Sequence, residues 1–232
     1  MTSPKILITG AAGFTGRHAC HHFSELGYEI IPVVKTKTGS DIDTKYKVAQ
    51  CDLTHREEVI DLIKGYQPDY TLHLAGQNEV GQSWKEPIIT FEANVMSTLY
   101  LLEAIRRSGK ISKTIIVGSA LEVNPSSLDS PPHPYSMSKT AQSLFSRSWA
   151  NLFNMNVVIA KPANLIGPGH SNGICSIIAR KIADMVKNNK EIVIEVNDLC
   201  ARRDFLDVRD AVKAYHILFE KGYSGDIYNI AS

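Results

Sequence analysis

The chain has 232 residues, 44% of them hydrophobic and 21% charged, with a net charge of +1, which suits one sizeable core or one core with a small lobe. The near-neutral charge, without a long run of one sign, argues against electrostatic binding to nucleic acid, and no apolar run reads as long enough to span a bilayer. Cys20, Cys51, Cys175 and Cys200 show no CxxC spacing and the amino terminus enters an apolar strand within a few residues, so reduced thiols, no secretory leader and a cytoplasmic location are expected.

In chain order, Ile6–Thr9 reads as a strand, Phe14–Leu26 as a helix, Glu29–Val34 as a second strand and Lys47–Cys51 as a short third. A helix near Arg56–Gly65, a strand at Tyr70–Leu74, a long helix from about Pro87 to Ser108 and a fifth strand at Thr114–Gly118 follow. The remainder predicts a helix over Tyr135–Phe153, a strand at Asn156–Ala160, a helix over Ile174–Lys187, a strand at Glu191–Val196, a helix over Val208–Lys221 and a last strand at Ile227–Ile230. Short apolar strands alternating with helices imply βαβ units and an α/β fold, a doubly wound parallel sheet of Rossmann type covered on both faces. Ligands of such sheets sit beyond the carboxyl ends of the strands. The informative loops are therefore those after Thr9, Val34, Leu74, Gly118 and Lys161, while the Pro- and Ser-rich piece from Asn124 to Pro134 reads as a surface loop.

The first of these loops carries the strongest signal. In KILITGAAGFTGR, residues 5–17, a strand runs into glycines at 10, 13 and 16 and then into a helix. That order aims free backbone N–H groups and the positive end of a helix dipole at a phosphate. Gly10 permits the turn, Gly13 lets a pyrophosphate approach, and Gly16 lets the helix pack closely. Further along, Tyr135 and Lys139 stand four apart at the start of a helix and share a face. An ammonium beside a phenol favours the phenolate, which suits the tyrosine to proton exchange with an alcohol or ketone. Ser119, at the end of the fifth strand, could bond the same oxygen. His18 and His22 also stand four apart, but with no third ligand in view a surface pair is the simpler reading and no metal is expected.

Ser119, Tyr135 and Lys139 behind Gly10-x-x-Gly13-x-x-Gly16 resemble the extended short-chain dehydrogenase/reductases, and the segments HLAGQ (73–77), NVMSTLYLLEA (94–104), KPANLIGPG (161–169) and ARRDFLDVRDAVKAY (201–215) extend the resemblance over essentially the whole chain. The last of these segments and SWKEP (83–87) are most similar to nucleotide-sugar enzymes, among them the 4-keto-6-deoxy-sugar reductases. The resemblance implies that Tyr135 is the acid for the C4 oxygen, helped by Ser119, with Lys139 on the nicotinamide ribose. It also implies cofactor contacts from Gly10, Gly13, Phe14, Gly16, Arg17, Lys35, Asp52, Leu53, Leu74, Ala75, Gly76, Gln77 and Asn94, and contacts to a nucleotide-sugar substrate from Gln77, Ser119, Asn164, Arg180 and Arg203. An arginine fork suits a diphosphate, so Arg203 is the first choice and Arg180 the second. A homodimer paired through the helices at Pro87–Ser108 and Tyr135–Phe153 is implied as well, both carrying apolar residues beyond one face: Leu99 to Leu102 in the first, Leu144, Phe145 and Trp149 in the second.

Cofactor choice rests on charge. NAD sites place an acid after the second strand, whereas here that strand leads into Lys35, Thr36 and Lys37, and Arg17 follows the last glycine. NADP(H) is therefore expected, with NAD as the alternative. Residues 1–161, with 205–218 returning to them, read as the cofactor domain, and 162–204 with 219–232 as a substrate-side lobe shorter than in the resembling family. Val123 and Asn124 stand where that family usually has Tyr-Gly. Its dehydratases carry a Glu two residues after the strand-end Ser or Thr; here Ala120 and Leu121 follow Ser119, and Glu122, one position further, is expected to point elsewhere. The expected activity is reduction of a 4-keto-6-deoxy nucleotide sugar, with a 4-epimerase retaining NAD, or a non-catalytic cofactor-binding module, as alternatives.

Overall fold

The computed structural model describes residues 3–36, 46–125, 132–189, 191, 193–195 and 200–232. A seven-stranded parallel sheet is built from β1 (Lys5–Thr9), β2 (Glu29–Val34), β3 (Ala49–Gln50), β4 (Tyr70–His73), β5 (Lys113–Val117), β6 (Asn156–Pro162) and β9 (Ile227–Ile230). Their spatial order is β3-β2-β1-β4-β5-β6-β9. The winding reverses between β1 and β4, where Ile6 pairs with Tyr70 and Thr9 with His73, so the crevice that binds ligands in such sheets opens beyond Thr9 and His73.

Alternation along β1 explains the layers. Ile6 and Ile8 join Phe23, Tyr215 and Phe219 on one face, under α1 (Phe14–Glu25) and α8 (Val208–Lys221), which pack on each other. Leu7 points the opposite way, to Leu62, Ile63, Leu101 and Ile105, under α2 (Arg56–Tyr66) and α5 (Ser97–Ser108), with α6 (Pro134–Phe153) beside α5. Successive strand residues face opposite sides, and a strand covered on both sides is apolar along most of its length. Full burial of a side chain such as Leu101 contributes about 1.5–3 kcal/mol.

Several elements differ from the sequence expectation. The helix expected over Pro87–Ser108 is preceded by a separate α3 (Val80–Lys85). It runs as α4 (Pro87–Phe91), a π-helical turn at Glu92–Met96, and α5. Its 22 residues include an 18-residue stretch of mean hydropathy 1.3, which by length and composition could cross a membrane, contrary to the sequence reading, but half of that stretch is buried in the fold. Glu191 and residues 193–195 form no strand, and Ile192 and Val196 lie outside the described residues. A small two-stranded sheet appears instead: β7 (Asn164–Ile166) pairs in parallel with β8 (Phe205–Asp207). It lies on either side in sequence of α7 (Ile174–Asn188), which has no buried residue. β9, grouped by sequence with the substrate-side lobe, pairs with β6 at the edge of the main sheet.

Candidate active site

The glycine turn is shaped by backbone contacts. Gly10 has φ +64°, and a Cβ there would lie 2.9 Å from the Ala75 nitrogen. A Cβ on Gly16 would lie 2.2 Å from the Gly10 carbonyl oxygen and 2.7 Å from the Ala11 Cα, so its missing side chain lets α1 press against the turn itself. Gly13 is the N-cap of α1, and no side chain caps the helix, which leaves first-turn amides for an anion. Phe14 packs beneath Gly167 and Gly169, and His18 Nε2 meets the Pro168 carbonyl at 2.9 Å. The loop after β7 is thereby held over the start of α1.

Beyond β4, the Thr9 hydroxyl accepts from the amides of Leu74 and Ala75, each at 3.1 Å, and must therefore donate to His73 Nδ1 at 2.8 Å. The Thr98 hydroxyl donates to the Asn94 carbonyl at 2.8 Å and accepts from Gln142 Nε2 at 2.8 Å. It can then only accept from His73 Nε2 at 2.9 Å. These roles assign the Nε2–H tautomer. His73 is fully buried, and burial, with the nearby Lys139 charge, lowers its pKa to about 3.

The π-helical turn aims Asn94 inward. Its Oδ1 accepts the Gln77 amide at 2.7 Å, and its Nδ2 donates to the Gln77 carbonyl at 3.0 Å and to Ser138 Oγ at 2.9 Å. Gly76 leaves the room: a Cβ there would lie 2.6 Å from Asn94 Oδ1 and 3.8 Å from Lys139 Nζ. Leu74 to Gln77 therefore pass over Lys139 as a pinned loop.

Ser119, Tyr135 and Lys139 are all buried. α6 is started by His133, whose Nδ1 accepts the Ser136 amide, followed by Pro134. The Ser119 hydroxyl is near enough to the Tyr135 phenol to act on its pKa, and its Oγ accepts the Leu121 amide at 3.1 Å. Burial raises the Tyr135 pKa; the Ser119 hydroxyl opposes this, and the Glu122 charge adds to it. The sequence argument had Lys139 lowering this phenol. In the structure its ammonium donates to the Val117 carbonyl at 2.9 Å and to Gln142 Oε1 at 2.7 Å, and burial wins at Tyr135. Burial also lowers Lys139 to about 8, against the raising effect of Glu122. Glu122 points back under the Ser119 turn, where it pairs with Lys161 at 2.6 Å. Gln142 and Glu122 are the neighbours that sequence reasoning missed in this role. Gln142, three residues after Lys139 on one helix face, could have been found by spacing.

At the far end of the crevice, Lys35 pairs with Asp52 at 2.9 Å. Partial burial works to raise the Asp52 pKa, but hydrogen bonds from Lys35 and Thr54 together bring it to about 2. The sequence from the end of β2 through Lys37 holds no acid, yet the fold carries one to Lys35 from just after β3. Arg17 is exposed and its Nε donates to the Ala12 carbonyl; Leu53 is buried, and Lys37 lies outside the described residues. On the substrate side, Asn164, Arg180 and Arg203 are exposed. They bond the carbonyls of Asp204, Ser171 and Arg202 respectively. Asn172 reaches Glu79 at 2.7 Å, tying the loop before α7 to the one before α3. Among the described residues no group of three or more His, Cys, Asp or Glu side chains could hold a metal. A groove of 590 Å³ between α1 and α8, lined by His18, His21, His22, Glu25, Asp207, Arg209, Asp210, Val212 and Lys213, includes none of the Ser119, Tyr135 and Lys139 side chains.

A doubly wound sheet, a glycine turn at its switch point and a buried Ser-Tyr-Lys set define a dinucleotide-dependent enzyme of the extended short-chain dehydrogenase/reductase type. Residues 6–231 match the NAD dependent epimerase/dehydratase family, and the chain belongs to it. It is similar to the GDP-6-deoxy-D-mannose reductase of Pseudomonas aeruginosa, at 29% identity over 98% of this chain and 74% of that protein. It is also similar to the dTDP-glucose 4,6-dehydratase of Escherichia coli, at 26% identity over 97% of this chain and 71% of that one. Among solved structures, RMD from P. aeruginosa complexed with NADPH superposes with TM-score 0.79 at 28% identity, over 98% of this chain and 78% of that chain. The Thermotoga maritima UDP-glucose 4-epimerase with UDP-glucose gives 0.85 at 25% identity, over 98% and 77%. A nicotinamide dinucleotide is the cofactor, and the first turn of α1, which no side chain caps, offers the backbone amides that its pyrophosphate needs.

Proposed function

We propose that this protein reduces the C4 ketone of a 4-keto-6-deoxy nucleotide sugar, GDP-4-keto-6-deoxymannose or a close analogue, with NADPH. The observation that carries the reading is the buried set of Ser119, Tyr135 and Lys139 beyond β5, beside which Glu122 is tied to Lys161. The bound dinucleotide supplies the hydride. Tyr135, whose raised pKa keeps its proton at neutral pH, gives that proton to the C4 oxygen, and Ser119 stabilises the charge developing there. Lys139 holds the nicotinamide ribose. Gly10, Gly13, Phe14, Gly16 and Arg17 take the pyrophosphate side, Asp52 and Leu53 the adenine, and Leu74 to Gln77 with Asn94 the middle of the cofactor. Gln77, Asn164, Arg180 and Arg203 face the sugar diphosphate.

Arg17 and Lys35 favour a 2′-phosphate, although the Lys35–Asp52 pair tempers the preference. Residues 1–161 with 205–218 form the cofactor-binding part, and 162–204 with 219–232 the substrate side, apart from β9. The protein works in the cytoplasm as a homodimer.

The test is a panel of 4-keto nucleotide sugars with NADPH, followed by nicotinamide absorbance. Oxidation of NADPH by GDP-4-keto-6-deoxymannose is expected. Cofactor binding without turnover on any member would point to a non-catalytic module. Formation of a 4-keto-6-deoxy product from unmodified GDP-mannose, dTDP-glucose or UDP-GlcNAc, lost in Glu122→Gln, would overturn the reading in favour of a dehydratase. The likeness to the T. maritima epimerase supports a second reading, 4-epimerisation with retained NAD. It would show as interconversion of UDP-glucose and UDP-galactose by protein purified with its cofactor.

A further inference from the structure

The Glu122 side chain is almost wholly buried, and both of its carboxylate oxygens are engaged. Oε1 accepts the Ser119 amide at 3.0 Å and the Ser143 hydroxyl at 2.8 Å, while Oε2 meets Lys161 Nζ at 2.6 Å, with 5% of the Glu122 side chain and 21% of the Lys161 side chain exposed. Three elements thus converge on one carboxylate: the turn after β5, the face of α6 that carries Lys139 and, four residues on, Ser143, and the end of β6. The backbone is strapped in the same place, Gly118 N–H to the Ala160 carbonyl at 2.8 Å and Ala120 N–H to the Pro162 carbonyl at 3.2 Å. Room for the carboxylate comes from Gly118, where a Cβ would lie 2.2 Å from Glu122 Oε1 and 3.0 Å from Ser143 Oγ.

A buried ion pair is poor value as a stabiliser, because well-packed apolar side chains of the same volume often do as well or better. Its position offers another reason. The pair lies against Ser119, whose hydroxyl acts on Tyr135, and the Glu122 charge acts on both Tyr135 and Lys139. We propose that Glu122 and Lys161 are a positioning pair for the proton donor: the carboxylate fixes the Ser119 backbone so that its hydroxyl meets Tyr135, and holds a compensated negative charge beside the phenol. This rests on the reading of Tyr135 as the acid. It also accounts for an acid at position 122 that has no free oxygen for elimination chemistry. Among the described residues, the charged and titratable groups that face Tyr135 are Glu122 from the turn, Lys139 on its own helix, Lys161 through Glu122, and His133, whose ring centroid lies 5.9 Å from that of Tyr135.

The experiment compares Glu122→Gln, the double variant Glu122→Gln/Lys161→Met and the double variant Glu122→Leu/Lys161→Met by titrating ¹³Cζ-labelled tyrosine, the Tyr135 signal being assigned with Tyr135→Phe. Removing one nearby charge should lower the Tyr135 midpoint in Glu122→Gln by about one pH unit or more. Glu122→Gln/Lys161→Met, neutral again and with its amide oxygen still facing Ser119, should fold whether or not the single variant does, and return the midpoint toward its original value. Glu122→Leu/Lys161→Met, equally neutral but without an acceptor for the Ser119 amide, should lose at least tenfold in kcat while its cofactor Kd stays unchanged. A Tyr135 midpoint that does not move in Glu122→Gln, or, if that variant does not fold, full kcat in Glu122→Leu/Lys161→Met, would overturn the proposal. The titration needs no substrate. A shifted midpoint in a protein that turns over no nucleotide sugar would therefore sink the functional reading and leave the positioning pair standing.

Discussion

At the scale of single residues, the site is a set of buried polar atoms with few degrees of freedom. Tyr135→Phe removes one oxygen and leaves the glycine turn and Lys139 untouched. Turnover should fall by about a hundred- to ten-thousandfold with nearly unchanged dinucleotide affinity, read by steady-state kinetics beside cofactor titration. His73 makes a pH prediction. Its pKa is about 3 in the fold against 6.5 for the exposed group, so below pH 6.5 the unfolded chain takes up a proton that the folded chain refuses. The stability it supports is complete above pH 6.5 and is lost as pH falls toward 3, by up to about 1.4 kcal/mol per pH unit inside that window. Denaturant melts between pH 7 and pH 4 should show this slope, and His73→Gln should flatten it; equal slopes would refute the assignment.

At the scale of elements, the π-helical turn within the helix from Pro87 to Ser108 matters most. π turns insert an extra residue and tend to occur at functional sites. Here the turn delivers Asn94 to both backbone groups of Gln77. Asn94→Leu would strand those groups, at about 1–3 kcal/mol for each buried group left unpaired. A lower melting temperature and weaker dinucleotide binding are expected together; a stable variant with intact affinity would show that the pin is dispensable. The long helix itself was legible from its apolar periodicity. The extra residue was not, because a slip of one position hardly alters a pattern of period 3.6. α3 escaped for a related reason: six residues are too few to display a period.

At the scale of the whole molecule, two expectations depend on surfaces. NADPH should bind more tightly than NADH, and Lys35→Glu with Arg17→Ala should narrow or reverse the difference in fluorescence titrations; equal affinities in the unsubstituted protein would count against it. The ion pair from Lys35 to Asp52 makes a moderate preference the expected result. The protein should be a dimer at micromolar concentration by light scattering, and a monomer would refute this. Leu101 and Leu102, counted from sequence toward that surface, are fully buried; Ile88, Ile89 and Met96, with Leu144, Phe145, Leu152 and Phe153 of α6, are the exposed apolar side chains. Local chemistry was readable in the sequence: apolar strands, glycines placed where a strand meets a helix, and Tyr135 four residues before Lys139 all act within one or two turns of chain. From these the doubly wound sheet and the candidate centre at its carboxyl edge could be derived. The tertiary structure alone decided which partners those side chains meet. Asp52 on Lys35, Lys161 beneath Glu122, and the chain from Thr9 through His73 and Thr98 to Gln142 join residues far apart in sequence, and their geometry follows from strand order and helix packing, which no short window of sequence contains.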